Sequence, residues 1–164
     1  MTPIISEHLI EAAIVQLGDL STAEMEKYTA QFADEQSSSL AYLVEGAQRL
    51  LTTSEKEYEI YLALILWTTL NKNLPKGAPP PSQEYLGTVD EQNWALYNRA
   101  KGKSFHDKVT PFFEDYPQED LLAFVEDSIA EEEDQKEDYI TDVGRPILFI
   151  QLKTLIDSWC GITQ

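Results

Sequence analysis

Ile60 to Trp67 (IYLALILW) is the longest apolar run in the sequence, and it dictates what must surround it. Wound as a helix, such a run points apolar side chains to every side, so the helix has to be buried among several neighbours. It falls far short of the ~20 residues that a membrane span requires, so those neighbours are protein rather than lipid. Ser54 and Glu57 match a capping box just upstream, which predicts a helix from there to about Lys72 at the centre of the fold.

Helical periodicity recurs along nearly the whole chain. Ser6 is a candidate cap for a first helix with Leu9, Ala13 and Leu17 on one face and Gly18 as its stop. Ser21 and Glu24 match another capping box, followed by Met25, Tyr28 and Phe32 at helical spacing. Leu40, Leu43, Val44, Ala47, Leu50 and Leu51 form a stripe behind the serines at 37 to 39. Trp94 and Tyr97 fall on a short helix, and Phe105, Val109, Phe112, Phe113 and Tyr116 make a further stripe. Pro111 interrupts that stripe, which predicts a kink or a fresh start capped by Thr110. A helix from Pro117 turns Leu121, Leu122, Val125 and Ile129 inward, and Gly144 and Pro146 open a last one with Leu148, Leu152, Leu155 and Trp159 inward.

No alternating strand pattern of useful length and no internal repeat is evident. The expectation is an all-α fold, a single-domain bundle of six or seven helices spanning residues 1–164. Its middle holds a proline-rich connection at 74–83 (LPKGAPPPSQ), where four prolines forbid a continuous helix and three in a row favour extended geometry. A split there would leave two halves too small to be comfortable alone, so the segment reads as a long connection rather than a domain boundary. A motif for a proline-reading partner is the functional alternative.

Composition narrows the function classes. A hydrophobic fraction of 43% with 10% aromatic residues indicates folding rather than disorder. The single cysteine, Cys160, excludes an intramolecular disulfide and reads as a small apolar residue near a helix end. No basic segment followed by an apolar run opens the sequence, so the expected location is cytoplasmic. With a pI of 4.3 the chain should repel nucleic acid and anionic lipid, so direct nucleic-acid or membrane binding is not expected.

The net charge of −17 is unevenly placed. Residues 114–142 hold thirteen acids and one base, Lys136, leaving sixteen acids and eleven bases elsewhere. Acids at the start of the helix near Pro117 suit its positive end; Glu131, Glu132, Glu133 and Asp134 would sit at its negative end. Asp127 and Glu131 stack one turn apart, a like-charge pair that costs roughly 0.2–0.5 kcal/mol. Three readings compete: a solvated acidic face, a docking surface for a basic partner (with mimicry of nucleic-acid charge as a special case), and a divalent-metal site. The run from Glu131 to Asp138 lacks the glycine and alternating acids of an EF-hand loop, which weakens the third.

Enzyme signatures are thin. Neither His8 nor His106 has a glutamate three residues before it, so di-iron Glu-x-x-His pairs are absent. The Glu-Glu-x-x-Glu pattern of helical Mg²⁺-dependent pyrophosphatases fails at Gln135 and Lys136. Two histidines and one cysteine give no zinc spacing, and no nucleophile elbow, phosphate loop or dinucleotide fingerprint occurs. His8 reads as a helix-surface residue. His106 is poorly placed to use Asp107, because adjacent helical residues face apart. Lys101, Lys103 and Lys108, with Arg99, form the one basic cluster. The sequence thus points to a non-enzymatic protein-interaction module whose contact residues are Glu126, Asp127, Glu131, Glu132, Glu133, Asp134, Glu137 and Asp138. It assigns no cofactor, no metal site and no catalytic residue. A carboxylate-based, metal-assisted hydrolase of the all-α type is the alternative.

Overall fold

The computed structural model of the protein describes residues 2–46, 49–130 and 140–163. These are helical without strands: α1 (Glu7–Gly18), α2 (Thr22–Glu35), α3 (Ser37–Gly46), α4 (Thr53–Asn71), α5 (Gln83–Arg99), α6 (Phe105–Val109), α7 (Glu119–Ile129) and α8 (Gly144–Cys160), with a 3-10 turn at Thr110–Phe113. Eight α-helices among the described residues exceed the six or seven expected. Pro111 is one reason: it ends α6 after five residues and tightens the chain into the 3-10 turn. Thr110 does not cap a new helix there; its hydroxyl donates back to the His106 carbonyl at 2.7 Å.

Helix starts follow local chemistry, with one shift. Ser21 and Glu24 form the reciprocal capping box that opens α2. At α4 the box is Thr52 with Glu55, two residues ahead of the Ser54–Glu57 match. Both pairs satisfy the sequence pattern, and tertiary demand on the Glu55 side chain decides between them. One Glu55 oxygen accepts from the Thr52 amide (2.8 Å), and the other accepts from the amide and hydroxyl of Thr141 (2.9 and 3.0 Å). A carboxylate buried to 1% exposure therefore ties the start of α4 to the residues leading into α8. Ser82 caps α5 by accepting from the Tyr85 amide, so that helix begins directly after the prolines and is far longer than the Trp94–Tyr97 stripe implied. Leu74 to Pro81 lies outside helix between α4 and α5.

The core gathers on α8. Fourteen of its seventeen residues are buried, and it packs against α4, α5 and α7, most extensively against α5. The apolar run of α4 is buried from Leu62 to Leu70, as its pattern required. The central position nevertheless belongs to α8, which read from sequence as a one-faced helix. Its Trp159 ring meets Phe32 edge-on and Trp67 at a tilt of 56°, and Phe149 meets Phe105 and Phe112 edge-on. Two sequence stripes are trimmed. Leu9 stays 41% exposed while Ile10 turns inward, and Val44 and Leu50 face solvent. Ala47, from the same stripe, lies outside the described residues.

Gly144 shows how closely the Glu55 staple is built, since a Cβ there would fall 1.9 Å from the Glu55 Oε2. Gly144→Ala should therefore destabilise the fold by about 1–3 kcal/mol through overpacking. Gly18→Ala, with nothing within 4 Å of the new methyl, should be neutral or stabilising by about 0.5–1 kcal/mol. Urea denaturation of the two variants measures both. A Gly144→Ala protein as stable as the parent would contradict the staple.

Candidate functional site

Of the acidic residues singled out by sequence, Glu126 and Asp127 lie on α7; Glu131, Glu132, Glu133, Asp134, Glu137 and Asp138 lie outside the described residues. The apolar face of α7 is as expected, with Leu121, Leu122, Val125 and Ile129 buried. Asp127 is exposed on the opposite side. Glu126 is different: only 14% of its side chain is exposed, and it meets His106 Nδ1 at 2.6 Å. Acids in the first turn also have internal work, because Asp120 accepts from the Glu7 amide at the start of α1. Its neighbour Gln118 accepts from the Ile5 amide and donates to the Pro3 carbonyl, which holds the N-terminal segment.

The end of α7 is not left without a cation. Arg145, buried to 1% exposure on α8, donates Nε to the Ile129 carbonyl (2.7 Å) and Nη2 to the Ile140 carbonyl (3.2 Å). Its Nη1 reaches Asp142 at 3.3 Å. Tyr58 satisfies the neighbouring Ser128 carbonyl. A guanidinium at a helix C-terminus completes the orphan carbonyls and opposes the negative end of the dipole. The chain thus leaves at Ile129 and returns at Ile140 to the same side chain, so both flanks of residues 131–139 are anchored together.

A second polar constellation was not read from the sequence at all. Lys153 of α8 is fully buried and donates to Asp157 (2.7 Å) and Asn93 (2.9 Å). Asp157, also fully buried, accepts as well from Tyr116 (2.5 Å) and Asn93 (3.1 Å), and Asn93 donates to Thr154. The ammonium sits over the Tyr116 and Phe112 rings at 4.8 and 5.4 Å. Burial lowers the Lys153 pKa, opposed by the Asp157 charge, and burial followed by that charge drives Tyr116 well up. These groups bond to one another, and their chemistry is structural: they fix α5, α8 and the turn before α7 in one register.

Two residues before Lys153 on α8, Gln151 faces Glu59 of α4. With its nitrogen turned toward the carboxylate, the amide donates to both oxygens at 3.1 and 2.6 Å. Burial, then the nearby Glu55, holds the Glu59 carboxyl well above the usual range. Tyr42 of α3 donates to Asp90 of α5 at 2.5 Å; burial and then Asp90 raise the phenol, and burial raises Asp90. The signal that could have revealed this seam is the spacing of Gln151, Thr154 and Asp157, polar residues three apart inside an otherwise apolar helix.

The remaining candidates separate clearly. Cys160 is half-buried, and burial followed by Asp157 pushes its thiol up to about 12, the opposite of a reactive thiolate. His8 is exposed on α1. Lys108 lies 4.4 Å over the Tyr97 ring, while Lys101, Lys103 and Arg99 are exposed. Among the described residues no three His, Cys, Asp or Glu side chains are grouped to hold a metal ion. No helix among them is long and apolar enough to cross a membrane.

Two measurements probe these contacts. Lys153→Met removes one partner of the buried pair and should cost about 3–5 kcal/mol in urea unfolding, whereas Lys103→Met on the surface should change stability by less than about 0.5 kcal/mol. A loss below about 1 kcal/mol would show the pair to be dispensable. The hydrogen bond to Glu126, followed by that carboxylate's charge, raises His106 above 6.5. Its stabilising contribution is present in full below pH 6.5 and disappears as pH rises through the raised value. NMR titration should find His106 above 6.5 in the native protein and back toward 6.5 in Glu126→Gln.

Compared with known proteins, the chain matches no family model, no curated protein sequence and no solved structure.

Proposed function

We propose that this protein is a non-enzymatic, cytoplasmic interaction module whose acidic segment, from Glu126 to Asp138, docks a basic protein segment. The observation that carries the reading is charge density: residues 114–142 hold thirteen acids and one base, Lys136. Arg145 and Lys153 are buried; they bond carbonyls, Asn93 and Asp157, and Arg145 also reaches the exposed Asp142. Among the described members of the proposed contact, Asp127 faces solvent. Glu126 is bonded to His106 and only 14% exposed in its side chain, so it belongs to the edge of the surface rather than its centre.

Anchoring of both flanks at Arg145 favours binding physically. A segment whose ends are already held together loses less freedom on docking than a free tail. Opposed charge would speed encounter and make the complex salt-sensitive. The competing reading, a hydrolase with carboxylates converging on a metal, draws no support from the described residues. Their buried carboxylates, Glu55, Glu59 and Asp157, are each taken up by protein partners.

Fluorescence anisotropy with a labelled Lys/Arg-rich peptide tests the proposal. Binding at low salt should vanish near ~0.5 M salt, where the Debye length is a few ångströms. Replacing Glu131, Glu132 and Glu133 by Gln and Asp134 by Asn should weaken binding on the order of tenfold or more. Removing four charges elsewhere (Glu11→Gln, Glu26→Gln, Asp34→Asn, Glu45→Gln, all exposed) should change it by less than about threefold. Equal losses from both sets would assign binding to net charge alone and sink the segment-specific reading, as would no binding at low salt.

A further inference from the structure

The proline-rich connection forms one wall of a cavity of about 780 Å³, opposite the end of α2, the C-terminal half of α4 and the end of α8. That wall is fixed in place. Gly77 takes a left-handed φ of 79° in a turn closed by the Ala78 amide on the Pro75 carbonyl, and Ser38 of α3 donates to the Pro81 carbonyl at 2.5 Å. The volume falls within the range of roughly 300–1,000 Å³ that small-molecule sites use. Trp67, Trp159, Tyr85 and Leu74 give the cavity apolar sides beside Pro79 and Pro81.

The fold leaves two hydrogen-bond donors over at this cavity. Gln36, between α2 and α3, is 5% exposed, and its Oε1 accepts from the Trp159 indole N–H and the Ser39 hydroxyl, both at 3.0 Å. An indole N–H can only donate, so the amide cannot be turned the other way round, and its NH2 points away from those partners. That NH2 finds no acceptor among the described residues. Trp67 is 7% exposed, and its indole N–H likewise finds none. Trp159 joins the two, since its N–H is bonded to Gln36 and its ring centroid lies 5.2 Å from that of Trp67. Donors in residues buried this deeply are costly to leave unpaired, and both residues line the same cavity.

We propose that this cavity binds an uncharged aromatic ligand that carries a carbonyl oxygen. The carbonyl accepts from the Gln36 amide and the Trp67 indole, while the ring packs among Trp67, Tyr85 and the proline side chains. Aromatic rings pair with one another edge-on or offset, so these walls suit a planar ring better than a flexible chain. The charges of the walls select against ions. Glu35 and Lys76 are the two charged residues at the cavity, one of each sign and both exposed, so neither is a buried charge that needs a counter-ion. Tyr85, 37% exposed, and the exposed Pro79 mark the open side through which a ligand enters.

NMR titration of the full chain with benzamide tests the proposal, with toluene, acetamide, benzoate and benzylamine as comparison probes. Benzamide should shift the Trp67 indole and Gln36 side-chain amide signals and saturate in the ~1 mM range. Toluene lacks the acceptor, acetamide lacks the ring and the other two are ions, so each should bind at least about fivefold more weakly. Trp67→Phe keeps a ring but loses the donor, and should weaken benzamide by roughly three- to tenfold. Gln36→Glu keeps the oxygen that Trp159 and Ser39 need but replaces the NH2 by a second acceptor, and should weaken it by about tenfold or more. Trp94→Phe, away from the cavity, should leave affinity unchanged. Thermal midpoints show which variants are folded, and the ranking of probes needs only the parent chain. No shift of the Gln36 and Trp67 signals by about 50 mM benzamide, equal binding of any comparison probe, or full affinity in either folded cavity variant would overturn the assignment.

Discussion

The burial of α8 with its charges still on it is the constraint that organises the rest of the structure. A helix enclosed on nearly every side is ordinarily apolar all round, yet this one carries Arg145, Gln151, Lys153, Thr154 and Asp157 into the interior. Each of these groups would be costly to desolvate alone. Each therefore has a partner from a different part of the chain: the carbonyls that flank residues 131–139, Glu59 on α4, Asn93 on α5 and Tyr116 before α7. Apolar contacts could be remade after a helix slid or turned by one position. This set of bonds could not, because a shift that rescued one would orphan another. A buried ion pair adds little net stability against a well-packed apolar substitute, so its physical weight lies in selecting one register.

The same economy of cations bears on the surface. Two positive side chains close to the acidic stretch in sequence, Arg145 and Lys153, are buried and bond carbonyls, Asn93, Asp142 and Asp157. Arg145 connects the two features, because it seals the interior while holding Ile129 and Ile140 at one point.

Sequence patterning was most reliable where a helix keeps one wet face. On α7 the positions 121, 122, 125 and 129 are buried as spaced, and the Ser21–Glu24 box opens α2. It was weaker where two local solutions were equivalent. Thr52–Glu55 and Ser54–Glu57 are interchangeable by pattern, and only the need for Glu55 at Thr141 separates them. Patterning also overextended the α3 stripe, since nothing in the apolar spacing marks Gly46 as the end of that helix. For the sites, the acidic stretch was visible because charge density is a one-dimensional property. The buried cluster around Lys153 was not, because Asn93, Tyr116 and Lys153 meet only when α5 and the turn before α7 pack against α8.

By itself, the order of residues determined the helical class, the burial of α4 and the uneven charge, all of which follow from periodicity and composition along a single dimension. Tertiary structure alone decided that α8 is the central helix, that Lys153 finds Asn93 in the core, and that Glu126 pairs with His106 rather than joining an open acidic face. The physical reason is common to all three. A polar or charged side chain has no intrinsic side of the fold to which it belongs. Its burial becomes tolerable only once other elements bring partners within hydrogen-bonding distance, and neighbours twenty or sixty residues away leave no local trace in the sequence.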